Sequence, residues 1–176
     1  MALRVAVADA ADLGELADVA ARTFPLACPP SLTRKNIGAF IDGNLCAARF
    51  ADYLTDPDRV VLAAAQNGRI IGYAMLIRGV VDDPDVQRAV ATRPSAELSK
   101  IYVLPESHGA GASHALMDAA LSHALDMGAR SVWLGVNQRN ERAQRFYVKH
   151  RFRVTGTKTF RVGAQIENDY VMVRQL

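Results

Sequence analysis

The chain has 176 residues, of which 50% are apolar and 22% are charged, and its formal net charge is +3 at pH 7. This length suits one domain with a single core over 1–176, and the ordinary share of charge excludes a nucleic-acid-coating protein or an acidic solvating one. Two cysteines, Cys28 and Cys46, are too few for a disulfide scaffold or a four-ligand zinc site. No apolar run approaches the roughly 20 residues that cross a bilayer, and the N-terminus lacks a signal-peptide plan, so we expect a cytoplasmic protein.

The N-terminal part of the chain alternates between strand-like and helical patterns. In chain order, these patterns predict a strand over 3–8, a helix over 9–24 that the prolines of 25–30 end, and a helical stretch over 31–53 interrupted near Gly43. The interruption indicates either two shorter helices or one kinked helix. The clearest hairpin follows over 59–80, where two apolar strands flank Asn67-Gly68, a pair that type I′ turns favour.

The C-terminal part of the chain mixes hairpins with strand–helix–strand crossovers. The patterns predict a polar loop over 81–94, a strand over 96–104, a glycine-containing joint, a helix over 112–127, a strand over 130–136, a helix over 140–151, and strands over 152–162 and 165–176. Such an order predicts one mixed α/β sheet with helices on both faces.

The joint, VLPESHGAGAS at 103–113, connects a predicted strand to a predicted helix. Backbone N–H groups at a helix N-terminus have no helical partner and carry about half a positive charge, so this place suits a phosphate group. Gly109 and Gly111 permit close approach of a ligand, while Ala112 and Ser113 keep the first turn slim. The joint is not a Walker loop, because no Gly-Lys-Ser/Thr follows, and it is a poor dinucleotide fingerprint. A simple turn is the alternative to an anion site.

Two segments resemble the signatures of the GNAT N-acetyltransferase superfamily, in that family's order and at its distance. The first resembles the acetyl-CoA loop V-x-P-x-x-[RQ]-x-x-G-x-[GA], through Val103, Pro105, His108, Gly111 and Ser113. The second resembles N-x-x-A-x-x-[FL]-Y-x-K-x-G-F, through Asn140, Ala143, Phe146, Tyr147, Lys149 and Phe152. His108, Ser113 and Arg151 depart from the usual residues. Histidine can still donate a hydrogen bond but loses a permanent charge.

The resemblance implies an α/β (α+β) fold with a mixed, mostly antiparallel sheet of about seven strands, and it implies acetyl-CoA as co-substrate with no metal. It also implies that the backbone of Ile101, Tyr102 and Val103 pairs with the pantetheine arm, to which Asn140 hydrogen-bonds. The residues that it implies around the diphosphate are His108, Gly109, Ala110, Gly111, Ala112 and Ser113. Lys149 is implied near the nucleotide 3′-phosphate, and an exposed lysine without a ligand is the alternative.

Within the superfamily, the chain is most similar to the PaiA-type polyamine N-acetyltransferases, through KIYVLP, SVWLGVNQRNERAQRFYVKHRF, TGTKTFRVG…ENDYVMVRQL and the RTFP that ends the first helix. That similarity implies a small-molecule amine such as spermidine or spermine as acceptor. No nucleic-acid or membrane partner is expected, and a homodimer is a further expectation. Alternative acceptors for the same fold are a protein N-terminus or lysine, an amino acid, or an aminoglycoside. A non-catalytic acyl-CoA-binding regulatory module is an alternative of another class.

Acetyl transfer from a thioester to an amine needs a proton acceptor, because an alkylammonium has a pKa of about 10.4, and a proton donor for the leaving thiolate. Tyr147 is the donor that the resemblance implies, near the thioester sulfur, with a core aromatic as the alternative. Glu97 is the candidate base or amine-binding group, since period-two alternation puts its side chain on the same face as Val103. A solvent-facing glutamate is the alternative. Asp82 and Asp83 lie in an acidic loop that would suit a cationic polyamine, unless they are simply solvated.

Overall fold

The computed structural model describes residues 2–176 and contains one seven-stranded sheet. Its strands are β1 (Arg4–Val7), β2 (Arg59–Gln66), β3 (Arg69–Arg78), β4 (Ser95–Val103), β5 (Ser131–Asn137), β6 (Arg153–Val162) and β7 (Gln165–Gln175). They lie in the order β1-β2-β3-β4-β5-β7-β6, and every neighbouring pair is antiparallel except β4 with β5. The predicted mixed, mostly antiparallel sheet is therefore confirmed.

Six α-helices connect or follow the strands. They are α1 (Leu13–Ala27), α2 (Arg34–Asn44), α3 (Ala47–Thr55), α4 (Pro84–Ala89), α5 (Ala112–Asp126) and α6 (Glu141–Lys149), and short 3-10 turns cover Ala10–Asp12 and Pro105–Ser107. The helical stretch after α1 is thus two shorter helices. None of the helices in residues 2–176 combines the length and the apolar character that a membrane span requires.

Two predictions of local structure were wrong. The prolines that follow Phe24 do not end α1 there, because Pro25 lies in the last turn and the helix runs on to Ala27. The polar loop after β3 contains α4, which Pro84 begins at its first position and which Asp83 caps by accepting the N–H groups of Asp85 and Val86. Proline at the first position and aspartate before it are ordinary helix-start signals, since neither leaves a helical donor unpaired.

Helices cover both faces of the sheet, as predicted. On one face, α5 buries Leu116 and Met117 in a core that also takes residues from β2 to β5. On the opposite face, α1 and α3 contribute Phe24 and Phe50 to a second core. A smaller cluster around Trp133 includes residues of α4 and β7. The hairpin prediction also holds, since Asn67 and Gly68 both have positive φ between β2 and β3.

The parallel strands β4 and β5 pair over three residues and then part. Ser95, Ala96 and Glu97 lie opposite Ser131, Val132 and Trp133, and no further pairing joins the two strands. Because β4 continues to Val103 and β5 to Asn137, the sheet opens between their C-terminal halves. The β5-facing edge of residues 101–103 is therefore left without a strand partner.

A bulge in β4 changes which side chains share a face. Leu98 lies opposite Leu76 and Lys100 lies opposite Met75, so Ser99 is an extra residue in the strand. Val103 consequently packs in the same core as Leu98, while Glu97 lies on the other face. The expectation that Glu97 and Val103 share a face was wrong, because simple alternation does not pass through a bulge.

Candidate active site

The opening between β4 and β5 leads into a cavity of about 310 Å³. One part of its wall comes from the joint before α5, from the end of β5 and from α6, where His108, Ser113 and Tyr147 lie. Another part comes from the end of α1, from β6 and from β7, where Phe160 and Asp169 lie. The divergence of β4 and β5 therefore leaves one cavity between two walls. We call the first wall the part with His108, Ser113 and Tyr147, and the second wall the part with Phe160 and Asp169.

The first wall carries the glycine joint that the sequence singled out. Gly109 and Gly111 have φ of 87° and 82°, and a Cβ built on either glycine would meet no other atom within 4 Å. Within residues 2–176, the N–H groups of both glycines lack a hydrogen-bond acceptor, and no side chain caps the N-terminus of α5. The N–H group of Ala110 is not available, because it donates to the carbonyl of Ser107 at 3.3 Å. Backbone N–H groups without an acceptor, next to open space, are suited to hydrogen-bond with a diphosphate.

His108 does not stand free at this wall. Its Nε2 lies 3.0 Å from the carbonyl oxygen of Val103, and its Nδ1 lies 2.7 Å from Nη2 of Arg142. Because a guanidinium can only donate, Nδ1 accepts from Arg142, so Nε2 carries the proton and donates to Val103. His108 therefore holds Arg142 at the cavity wall, and Arg142 supplies the permanent charge that His108 lacks. Arg142 was missed from the sequence, since it fills an unspecified position of the second signature.

The remaining cofactor-binding candidates are spread along α6 and β4. The side chain of Asn140 caps α6 by accepting the N–H of Ala143 at 3.1 Å, so only its NH₂ group is left to donate into the cavity. Ile101 and Tyr102 line the cavity, whereas Lys149 is exposed in the last turn of α6 and does not. Ala112 is buried in the core, so only its backbone is available to a ligand.

Tyr147 lines the cavity and also packs against the core. Its ring lies 5.6 Å from that of Phe146 and 5.9 Å from that of Phe152, both edge-on. No described residue hydrogen-bonds to the Tyr147 hydroxyl, and burial raises its pKa far above the ordinary value for tyrosine. The hydroxyl is therefore a neutral donor without a partner among residues 2–176.

Glu97 also lacks a partner. Among residues 2–176, no hydrogen bond or ion pair reaches its carboxylate, and it lines the cavity. Burial raises the pKa of this carboxyl group, against the opposing effects of Lys100, Lys158 and Arg59. An unpaired carboxylate with a raised pKa is what a proton acceptor near neutral pH requires.

Two lysines and an aspartate beside Glu97 were missed from the sequence. Lys158 Nζ lies 3.5 Å from Oδ2 of Asp169, and both side chains are largely buried. Burial raises the pKa of Asp169, and its second oxygen, Oδ1, is buried without a hydrogen-bond partner. Lys100 Nζ donates only to the carbonyl and the hydroxyl of Ser99, each at 3.2 Å, and burial lowers its pKa. This wall of the cavity is mixed in charge.

Asp82 and Asp83 do not lie at the cavity. Asp83 accepts hydrogen bonds as the cap of α4, and Asp82 is exposed in the same loop. The structure therefore brings Glu97 together with Lys100, Lys158 and Asp169, and not with the acidic loop. No group of three or more histidine, cysteine, aspartate or glutamate side chains is arranged to hold a metal ion in the part of the chain that the structure describes.

Comparison with known proteins gives the family. Residues 22–152 match the model of the acetyltransferase (GNAT) family. The chain is 60% identical over 165 residues to an uncharacterized N-acetyltransferase of Mycobacterium tuberculosis, covering 94% of this chain and 98% of that protein. The fold resembles the PaiA N-acetyltransferase of Thermoplasma acidophilum, solved with coenzyme A, at a TM-score of 0.79 and 18% identity over the full length of both chains. It also resembles NAA60 of Arabidopsis thaliana, at a TM-score of 0.74 and 16% identity, over 99% of this chain and 98% of the other. The chain belongs to the GNAT family and is an acetyl-CoA-dependent N-acetyltransferase.

Proposed function

We propose that the protein transfers the acetyl group to a primary amine by direct attack, with acetyl-CoA and the acceptor bound together in the cavity between β4 and β5. The observation that carries this proposal is that the partnerless carboxylate of Glu97 and the partnerless hydroxyl of Tyr147 line one cavity. Such groups are costly to bury without a partner unless a ligand supplies one.

The first wall, which carries the glycine joint, would bind acetyl-CoA. The N–H groups of Gly109 and Gly111 and the uncapped first turn of α5 would hold the diphosphate, with Arg142 adding charge. The unpaired edge of residues 101–103 would hydrogen-bond to the pantetheine arm as a strand does, and the NH₂ group of Asn140 would donate to the same arm. Lys149 would lie near the 3′-phosphate only if the nucleotide extends along α6.

Glu97 would accept the proton that the amine must lose before it attacks. An amine with a pKa of about 10.4 is almost fully protonated at neutral pH and has no lone pair to offer. Because the pKa of Glu97 is raised, its carboxylate is a better proton acceptor than an exposed glutamate. Direct transfer and transfer through one water both satisfy this role.

Tyr147 would return a proton to the leaving thiolate. Its raised pKa keeps the phenol neutral at working pH, so that the proton is present when the carbon–sulfur bond breaks. A phenol is a weaker acid than a thiol, so this donation depends on position rather than on acid strength.

A covalent acetyl-enzyme step has little support in this cavity. Cys28 lines it, but burial and the nearby Glu167 raise the pKa of that thiol to about 11. The nucleophilic thiolate is therefore scarce at neutral pH, and the Sγ donates to the carbonyl of Phe24 at 3.3 Å. Direct attack by the amine needs no such intermediate.

The polyamine acceptor stays a prediction from the sequence. A polycation would be favoured by Glu97 and Asp169, but it would also meet Lys100 and Lys158 at the same wall. The likeness to PaiA at 18% identity concerns the fold and does not choose an acceptor.

A thiol-release assay tests the proposed function. Acetyl-CoA would be supplied with separate panels of polyamines, amino acids, peptides and aminoglycosides, and free CoA would be measured against hydrolysis without acceptor. We expect release that depends on one class of primary amine. Binding of acetyl-CoA with no release in any panel would instead support the regulatory module.

A further inference from the structure

Lys100 is a partly buried cation without a counterion among the described residues. Its Nζ is held by the carbonyl and the hydroxyl of Ser99, and no ion pair reaches it in residues 2–176. The aromatic ring of Phe40 lies 6.0 Å away and offers only a weak attraction. A partly desolvated charge is stabilised when an anion pairs with it, and Lys100 lines the cavity, where a ligand can reach it.

The second lysine at this wall is already paired. Lys158 lies 3.5 Å from Asp169, its side chain is 14% exposed and that of Asp169 is 7% exposed. The buried pair balances its own charge, so Glu97 and Lys100 are the charged side chains of β4 that line the cavity without an ion pair in residues 2–176. Glu167 is a further anion of the cavity, and its carboxylate accepts from Nδ2 of Asn137 at 3.3 Å. Strand β4 therefore offers the cavity one charge of each sign that has no ion pair among the described residues.

The bulge at Ser99 brings those two charges to the same face of β4. Glu97 and Lys100 are three residues apart, so strict alternation would point them in opposite directions, and the extra residue corrects this. Each affects the pKa of the other, yet no ion pair joins them. A ligand can therefore contact both without first breaking a bridge between them.

We propose that the acceptor is a zwitterion, a small primary amine that also carries a carboxylate, as a free amino acid does. The carboxylate pairs with Lys100 while the amine lies at Glu97. This assignment rests on the proposed function and names the substrate class for it. A single free lysine matches the single negative charge of a carboxylate, whereas a diamine or polyamine leaves Lys100 unpaired and adds a second positive charge beside it.

Paired acceptors that differ only in the carboxylate test the proposal. Ornithine would be compared with putrescine, and lysine with cadaverine, by CoA release at fixed acetyl-CoA. The wild-type protein is expected to prefer the amino acid in each pair by about tenfold or more in kcat/KM, the size of one charge-assisted hydrogen bond. The amide of each amino acid, which lacks the negative charge, is expected to behave like the diamine.

Lys100→Met keeps an unbranched side chain, one atom shorter, and removes its charge. The variant is expected to lose the preference for the carboxylate while it still binds acetyl-CoA, and calorimetric titration of acetyl-CoA reports that its fold is intact. Lys35→Met is the matched control, because Lys35 is exposed on α2 away from the cavity, and it should keep the preference.

The outcomes separate this proposal from the proposed function. Wild-type turnover of diamines that equals or exceeds that of the amino acids would overturn the zwitterion and leave the acetyltransferase in place. A preference that survives in Lys100→Met would overturn the role of Lys100. Absence of CoA release with every amine, while acetyl-CoA binds, would overturn the proposed function and this inference with it.

Discussion

The imidazole of His108 bridges β4 and α6, since it donates to the carbonyl of Val103 at 3.0 Å and accepts from Arg142 at 2.7 Å. The two bonds connect the strand that ends at the glycine joint to the helix that carries Tyr147. The family pattern expects a charged or amide side chain at position 108, and here a histidine with one N–H holds an arginine in its place. The positive charge beside the glycine joint therefore comes from Arg142 on α6 and not from position 108.

Arg142→Gln should weaken acetyl-CoA binding. Removal of one charged contact to a phosphate is expected to raise the dissociation constant by about tenfold or more, measured by calorimetric titration. The loss should shrink at high salt, because screening already weakens that contact in the wild type. Arg145→Gln is the control, since Arg145 lies one turn further along α6, pairs with Glu141 and is 68% exposed. Equal affinity of wild type and Arg142→Gln would remove Arg142 from the cofactor site.

A bulky residue at Gly111 should impair cofactor binding itself. Gly111→Leu puts a side chain into the open space at the N-terminus of α5, so acetyl-CoA affinity is expected to fall by at least about tenfold if the diphosphate lies there. Gly128→Leu controls for backbone strain, because both glycines have φ of 82° and a left-handed residue costs roughly 1–2 kcal/mol at either position. Both variants should lower the melting temperature, and only Gly111→Leu should lower affinity. An unchanged titration would make the joint a simple turn.

Local signals explain why much of the fold, and the presence of His108, Ser113 and Tyr147 at one cavity, could be predicted. Short runs of residues determine three of these features: the hairpin around Asn67-Gly68, the glycine joint and the position of Tyr147. In each run the turn residues or the spacing favour one local structure. The predicted sheet was confirmed for the same reason, since each strand shows its own apolar pattern. The short helix α4 also had a local signal at Asp83 and Pro84, but the acidic run around it favoured a loop.

The charged part of the cavity around Glu97 could not be predicted because it depends on distant segments and on an irregular strand. Lys158 and Asp169 come from β6 and β7, and nothing near them in sequence indicates that they meet Glu97. The bulge at Ser99 has no turn residue such as glycine to mark it, yet it decides which face Lys100 occupies. Charged residues in strands are usually solvated, so their burial here follows only from the tertiary arrangement.

Tyr147→Phe should lower kcat and leave the binding of acetyl-CoA unchanged. The substitution removes only the hydroxyl, and the ring contacts with Phe146 and Phe152 stay. Loss of a general acid typically costs about 10²–10⁴ in rate. Steady-state kinetics and calorimetric titration measure the two effects separately. Tyr170→Phe is the control, because Tyr170 packs against the same core but does not line the cavity. A full kcat for Tyr147→Phe would assign the proton to another donor.

Glu97→Gln should change the pH dependence as well as the rate. A raised pKa means that Glu97 holds its proton to higher pH, so the active carboxylate forms, and wild-type kcat/KM rises, as the pH increases through that value. The glutamine variant has no such group, and its rate should follow the free amine alone, whose pKa is about 10.4 in water. The two proteins should therefore differ most near neutral pH, by about 10²-fold or more, and converge as the pH approaches 10. Asp82→Asn, outside the cavity, should reproduce the wild-type profile. Parallel profiles for Glu97→Gln and wild type would mean that Glu97 binds the amine without accepting its proton, since a binding role lowers the rate by the same factor at every pH where the carboxylate is charged.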